Sequence, residues 1–268
     1  MQLPLAIGTG LQHGVDGLFS VIPRRRPSQQ ALLDCKLVSH RGEHDNLAVR
    51  ENTLAAFERV YAAGVWGLEL DVHWSKDLQP VVIHDCDTRR VFQQDCVIAE
   101  LSLQQLQQQL PEIPSLQQVV DRFGGRLHLM IELKTGPLWQ TQQQSRCLEN
   151  MFAHLNAGSD YHFIALHKTL FDLVEFAGHQ AMLPVAEFNV SRFSRYAIEK
   201  ELAGLTGHYL LLQRDLIERH QHQGQKIGVG FPGSRFTFYR ELNRGVDWIF
   251  TNHALRLYEL RQRLLRDG

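Results

Sequence analysis

GVWGLELDVHWSKDLQPVVIHD, residues 64–85, holds two β-rich runs that cannot lie parallel. The first, Leu68 to Val72, alternates apolar and acidic residues. As a strand it aims Glu69 and Asp71, two positions apart, at one face. The second, Pro80 to Asp85, follows after only Ser75 to Gln79 (SKDLQ). A parallel crossover needs about a dozen residues or more, so these runs form an antiparallel hairpin. Folding it about residues 77–78 returns His84 to the level of Asp71, beside both carboxylates.

Outward from this hairpin, short β-rich runs alternate with helix-like stretches, the pattern of a parallel α/β fold. Eight runs serve as strands: Leu37–His40, Leu68–Val72, His128–Lys134, His162–His167, Met182–Glu187, Tyr209–Gln213, Ile227–Phe231 and Trp248–Thr251. Asn52 and Thr53 are placed to cap a helix carrying Leu54, Phe57, Val60 and Tyr61. Ser102, with Gln105 three positions on, opens a second helix with a capping box. Eight such units predict a closed (β/α)8 TIM barrel over residues 34–268, with a short β-hairpin after strand 2 and an N-terminal extension at residues 1–33. A length of 268 residues suits one such domain.

A barrel's ligand site lies at the carboxyl ends of its strands, so polar residues there are site candidates. The first strand ends in VSHRG, which puts His40 and Arg41 at the mouth with Gly42 allowing a sharp turn. The third parallel strand ends in IELK, where Glu132 and Lys134 repeat the two-residue spacing. Each residue has an ordinary structural use when taken singly; the set is informative because complementary groups converge on one rim. Three inward carboxylates (Glu69, Asp71, Glu132) are costly without a positive partner. A hard divalent cation with oxygen ligands, Mg²⁺ or Ca²⁺, supplies one, and no Cys or His stands at a ligand-like spacing to favour zinc. Two histidines flanking a cation-bound phosphodiester suit acid–base cleavage, one taking the proton of the attacking hydroxyl and the other protonating the leaving oxygen. Arg41 and Lys134 would neutralise phosphate charge.

The bulk of the chain excludes other classes. A net charge of −1 provides no field for nucleic acid or an anionic membrane. Four cysteines without CxxC spacing read as reduced thiols in a cytoplasmic protein. Residues 1–33 are apolar in part, but His13, Asp16 and four glycines interrupt them, and no apolar run of about 20 residues exists. They read as an extension packing on the barrel or its base, without stable membrane insertion. No feature of the sequence specifies an oligomeric state.

HRG, then ENTLAAF, then GVWGLELDVHWSKDLQPVVIHD, then IELK, in this order and spacing over residues 38–134, resembles the glycerophosphodiester phosphodiesterase family. EIPSLQQVV and GVDWIFTN extend the resemblance toward the chain's end. It implies a barrel of the phospholipase-C-like type and hydrolysis of a small-molecule glycerophosphodiester to an alcohol and glycerol phosphate, in glycerol and lipid metabolism. It further implies that His40 and His84 are the acid–base pair, that Glu69, Asp71 and Glu132 hold the cation, that Arg41 contacts phosphate and that Lys134 supports the site. Departures fall elsewhere. Arg50 stands where the family usually has proline before ENT, either as a surface change or as an extra cation near the mouth. The strand ends IALHKTLFD and IGVGFPGSRF replace the usual Ser-Phe-Asp-like and Trp-Thr-Val-Asn motifs. Phe231 is then expected as an apolar pocket wall, and His167 or Glu187 as a contact for a substrate hydroxyl. Two alternatives follow: a lysophospholipase D-like or sphingomyelinase D-like enzyme with the same chemistry, and a non-catalytic binder of phosphate ligands.

Overall fold

The computed structural model describes residues 17, 19–136 and 141–267. Its strands are β1 (Lys36–His40), β2 (Gly67–Trp74), β3 (Pro80–Val82), β4 (His128–Leu133), β5 (Tyr161–Ala165), β6 (Met182–Ala186), β7 (Gly204–His208), β8 (Lys226–Gly230) and β9 (Trp248–Thr251). Eight of them pair in parallel in the order β1-β2-β4-β5-β6-β7-β8-β9, and β9 pairs back to β1 to close the ring. β3 hangs outside the ring, antiparallel to β2, with Val72 opposite Val82. This is the expected (β/α)8 barrel with its hairpin.

Period-two alternation divides each strand between two cores. Leu68, Leu70 and Val72 point outward and pack with Phe57 and Val60 of the helix Leu54–Ala63. Val38, Met130, Ile164, Leu183 and Phe250 fill the lumen. At the base of the lumen His128 stacks on Trp66 (centroids 4.3 Å apart). Its Nε2 lies 2.8 Å from His162 Nδ1, and the His162 ring meets Trp248 edge-on.

The caps were legible. Thr53 accepts from Ala56 N and starts the helix Leu54–Ala63. Ser102 and Gln105 form a complete capping box on the helix Leu103–Gln109. Asn52, expected to share the first cap, turns instead toward β2. It sits at φ 57° and its amide donates to Asp71 Oδ2 at 2.8 Å.

The sixth barrel strand was misplaced by the sequence. It is Gly204–His208, and the apolar run Tyr209–Gln213 is the loop after it. Two glycines weaken the strand signal of GLTGH, yet the barrel needs one of them. A Cβ on Gly204 would sit 1.8 Å from Lys226 O on the neighbouring strand. The run YLLLQ stays out of the sheet because Arg240 and Arg244, both paired with buried Glu241, donate to the carbonyls of Tyr209 and Leu212.

Residues 1–16 and 18 of the expected extension lie outside the described residues. Of the remainder, Phe19 meets Tyr209 edge-on at 6.3 Å and Arg26 donates to Leu264 O at 2.6 Å. The helix Gln29–Asp34 crosses residue 33 and buries Leu32 in the outer core. No helix among the described residues is long and apolar enough to cross a membrane. All four cysteines are unpaired.

Gly204→Ala should wedge β7 from β8 and cost about 1–3 kcal/mol or more, read as a fall in melting temperature of several degrees; an unchanged melting temperature would show that the strands can give way. Burial holds His128 at about 4 and His162, which also faces His128, at about 3. Both folded values lie below the unfolded value near 6.5. The stability is therefore whole above about pH 6.5 and is lost as pH falls toward 4, because the unfolded chain binds protons that the fold refuses. Urea midpoints between pH 7.5 and 5 should decline, and less steeply in His162→Gln.

Candidate active site

Strand register assembles the acids. β1 and β2 pair with His40 opposite Glu69, and β2 and β4 pair with Asp71 opposite Glu132. Inward-facing positions at the same height on adjacent strands thus gather one imidazole and three carboxylates. One oxygen from each of Glu69, Asp71 and Glu132 can be chosen so that all three lie within 4.8 Å of one another. Glu69 and Asp71 are fully buried.

Crowding sets their protonation. Burial, then Asp71 and Glu132, push Glu69 well above the ordinary carboxylate range. Burial raises Glu132 as well, although Lys134 opposes it. Asp71 goes the other way: burial alone would raise it, but Lys134 and Arg41 outweigh that and hold it low. Lys134 Nζ lies 2.8 Å from Asp71 Oδ1 and pairs with Glu132 Oε1. Arg41 Nε lies 3.1 Å from Asp71 Oδ2.

The first loop is shaped for this contact. Arg41 and Gly42 both have positive φ, 58° and 82°. The turn lets Arg41 N donate to Glu69 O at 3.0 Å and to Glu69 Oε2 at 3.1 Å. A Cβ on Gly42 would meet Ala56 Cβ at 2.7 Å, so the loop can lie against the helix Leu54–Ala63 only with glycine there.

The two histidines approach from different sides with different partners. His40 Nδ1 lies 2.6 Å from Asn252 Oδ1, just after β9. An amide oxygen only accepts, so Nδ1 carries the proton and Nε2, 3.8 Å from Glu69 Oε2, carries the lone pair. Burial and Arg41 lower His40 to about 3, keeping it neutral. His84 Nδ1 instead lies 2.7 Å from a carboxylate oxygen, Asp85 Oδ1. Burial lowers His84 too, while Asp71 pulls it back up. The hairpin is centred on residue 77 rather than between 77 and 78, and Ile83 N donates to Asp71 O. The ladder's last hydrogen bond is at Ile83, which leaves His84 at the rim.

Phe231 follows β8, with its ring edge-on to His40 at 4.8 Å. His167 and Glu187 lie exposed beyond β5 and β6 on the same rim, and among the described residues neither side chain makes a hydrogen bond or ion pair to the cluster. Arg50 does not reach the mouth: its guanidinium pairs with Glu112 at 2.5 Å and lies over Phe92. The sequence reading assigned Asn52 only a helix-cap role and placed none of Glu51, Asn52, Asp85, Arg90 and Asn252 at the site. Glu51 and Asn52 lie in the ENT motif and Asn252 ends WIFTN, so two motifs carried a signal that spacing could not interpret.

The donor set fits a divalent cation. Among the described residues, Glu69 Oε1 is buried without a hydrogen-bond partner. Three carboxylates against Arg41 and Lys134 leave a formal −1, which would repel a phosphodiester anion; a divalent ion reverses the sign. All-oxygen donors suit a hard ion.

Comparison with known proteins agrees with this geometry. Residues 40–255 match the model of the glycerophosphoryl diester phosphodiesterase family. A glycerophosphodiester phosphodiesterase of Caldanaerobacter subterraneus subsp. tengcongensis is 25% identical over 243 residues, covering 84% of this chain and 96% of that protein. Among solved structures, the glycerophosphodiester phosphodiesterase of Thermotoga maritima shares the fold at TM-score 0.72 and 22% identity, covering 84% of this chain and 98% of that one. An Oleispira antarctica phosphodiesterase, solved with its product sn-glycerol-3-phosphate, superposes at TM-score 0.72 and 19% identity over 88% of this chain and 98% of that one. Since the family match begins at the rim histidine of β1 and runs past the closing strand β9, the chain belongs to the glycerophosphoryl diester phosphodiesterase family.

Proposed function

We propose that this chain hydrolyses glycerophosphodiesters to an alcohol and glycerol phosphate, with His40 as general base and His84 as general acid. The carrying observation is the unequal pairing of the two imidazoles, one on a neutral amide and one on a carboxylate. Fixed by Asn252, His40 offers its Nε2 lone pair to the proton of an attacking hydroxyl, whether of water or of the substrate itself. Asp85 favours the protonated form of His84, which gives its proton to the departing alkoxide oxygen as the P–O bond breaks. Arg41 and Lys134 offset phosphate charge as it grows.

Glu69, Asp71 and Glu132 would hold a divalent cation, Mg²⁺ or Ca²⁺, which when bound supplies Lewis-acid stabilisation of the phosphoryl oxygens. The hard, all-oxygen donor set supports this choice. Phe231 would wall the alcohol or glycerol pocket beside His40, with His167 or Glu187 contacting a substrate hydroxyl from the far side of the same rim. The catalytic domain spans residues 34–268, with residues 1–33 as an extension. The protein acts on a small molecule, engages neither nucleic acid nor the membrane interior, and works in the cytoplasm in glycerol and lipid metabolism.

His40→Ala and His84→Ala should each lower turnover of glycerophosphocholine by about 10²-fold or more with melting temperature nearly unchanged; wild-type rates in both would remove the acid–base assignment. EDTA should abolish activity, with Mg²⁺ or Ca²⁺ restoring it. Independently of activity, added cation at about 100 times its Kd should stabilise the fold by about 2.7 kcal/mol. That shift should vanish in Glu69→Gln; its persistence there would place the ion elsewhere.

A further inference from the structure

His84 and Arg41 reach the site from different segments, yet one guanidinium outside the cluster connects them. Arg90 lies on the four-residue helix Arg89–Phe92, anchored by buried Val91 and Phe92. Its Nε donates to Asp85 Oδ2 at 2.6 Å. Its Nη1 and Nη2 donate to the two oxygens of Glu51 at 3.1 and 2.7 Å. Asp85 presents its other oxygen to His84 Nδ1 at 2.7 Å. Glu51, 4% exposed, also accepts from Arg41 Nη1 at 2.9 Å and Asn46 Nδ2 at 2.8 Å. Arg41 continues to Asp71. Hydrogen bonds thus run His84–Asp85–Arg90–Glu51–Arg41, and an ion pair carries the chain on to Asp71, tying the loop after β1 to the segment after β3.

We infer that Arg90 is a positioning residue for the reaction: it clamps Asp85 against His84 and Glu51 against Arg41, fixing the ring orientation of the acid relative to the phosphate-binding cation. This rests on the assignment of His84 as general acid. A planar fork satisfies two carboxylates at set angles, which a flexible point charge does not. Without it Asp85 can rotate toward solvent, and His84 loses the partner that fixes its tautomer. Buried Glu51 would keep only Arg41 and Asn46, leaving Arg41 less constrained. The adjacent Arg89 provides an internal control. It is 66% exposed and, among the described residues, pairs only with Asp87 and Asp95.

A mispositioned general acid betrays itself by the leaving group. Alkoxide departure from glycerophosphocholine needs a proton, whereas p-nitrophenolate departure from the p-nitrophenyl ester of glycerol phosphate does not. With metal-loaded full-length protein, Arg90→Ala and the isosteric Asp85→Asn should lower kcat on glycerophosphocholine by about 10–100-fold, with KM within about threefold. On the nitrophenyl ester the loss should be at least about tenfold smaller. Arg89→Ala should match wild type on both. If His84→Ala slows glycerophosphocholine turnover but Arg90→Ala and Asp85→Asn stay within about threefold of wild type, the positioning role is overturned and the acid assignment stands. Equal losses on both esters would also overturn it, as a general structural defect. If His84→Ala itself leaves turnover intact, the acid assignment fails and takes the positioning role with it.

Discussion

Three carboxylates held together out of water are the constraint on which this molecule turns. Like charges this close repel. Glu69, Asp71 and Glu132, with oxygens within 4.8 Å of one another, would make three such pairs if all were ionised, which is why burial and crowding push Glu69 and Glu132 upward. No local feature of β2 or β4 relieves this. The arrangement persists because backbone pairing fixes it: Asp71 is locked opposite Glu132 by a parallel ladder running from Gly67 to Val72. Slipping that register by one residue would turn Leu68, Leu70 and Val72 into the lumen and expel the outer core. The hydrophobic effect therefore holds the acids in place, and Lys134, Arg41 and Asn52 reduce the cost by pairing with Asp71.

Ring closure has a chemical consequence beyond stability. β9 pairs with β1 from Lys36 to Ser39, so Asn252, more than two hundred residues from His40 in sequence, arrives at its Nδ1. An open sheet with the same strands would leave His40 without the partner that selects its tautomer. The base and the acids then belong to neighbouring strands of a rigid wall, while His84 belongs to a hairpin outside the ring. The least barrel-like part of the fold carries one of the two imidazoles, and ionic contacts brace it in addition to its antiparallel pairing with β2.

The asymmetry between the histidines follows from these different origins. His40 stands at the end of a barrel strand, enclosed by Phe231, Glu69 and Asn252, and burial keeps it neutral. His84 is about a third exposed and faces a carboxylate that is itself held by an arginine. Burial disfavours the added proton at both, but only His84 has a hydrogen-bonded carboxylate opposing that shift, which is how two chemically identical groups come to differ in role.

Much of this was written in the chain. A five-residue gap between two β runs forces a hairpin, alternation aims Glu69 and Asp71 together, and Ser102 with Gln105 announces a helix start; these are local rules, and the structure obeys them. What local rules could not supply are facts that depend on distant backbone. GLTGH is a strand because it pairs with β6 and β8, where Lys226 O lies so close that only glycine fits at 204, and YLLLQ is a loop because Arg240 and Arg244 hold its carbonyls. Asn52 leaves its expected cap for Asp71, Arg50 turns aside to Glu112, and Arg90 finds Glu51 thirty-nine residues away. Sequence by itself determined which residues could do chemistry and which face of each strand they occupy, because those follow from side-chain type and a two-residue period. Tertiary structure alone decided their partners, because hydrogen bonds and ion pairs act over a few ångströms and only the closed ring brings those distances about.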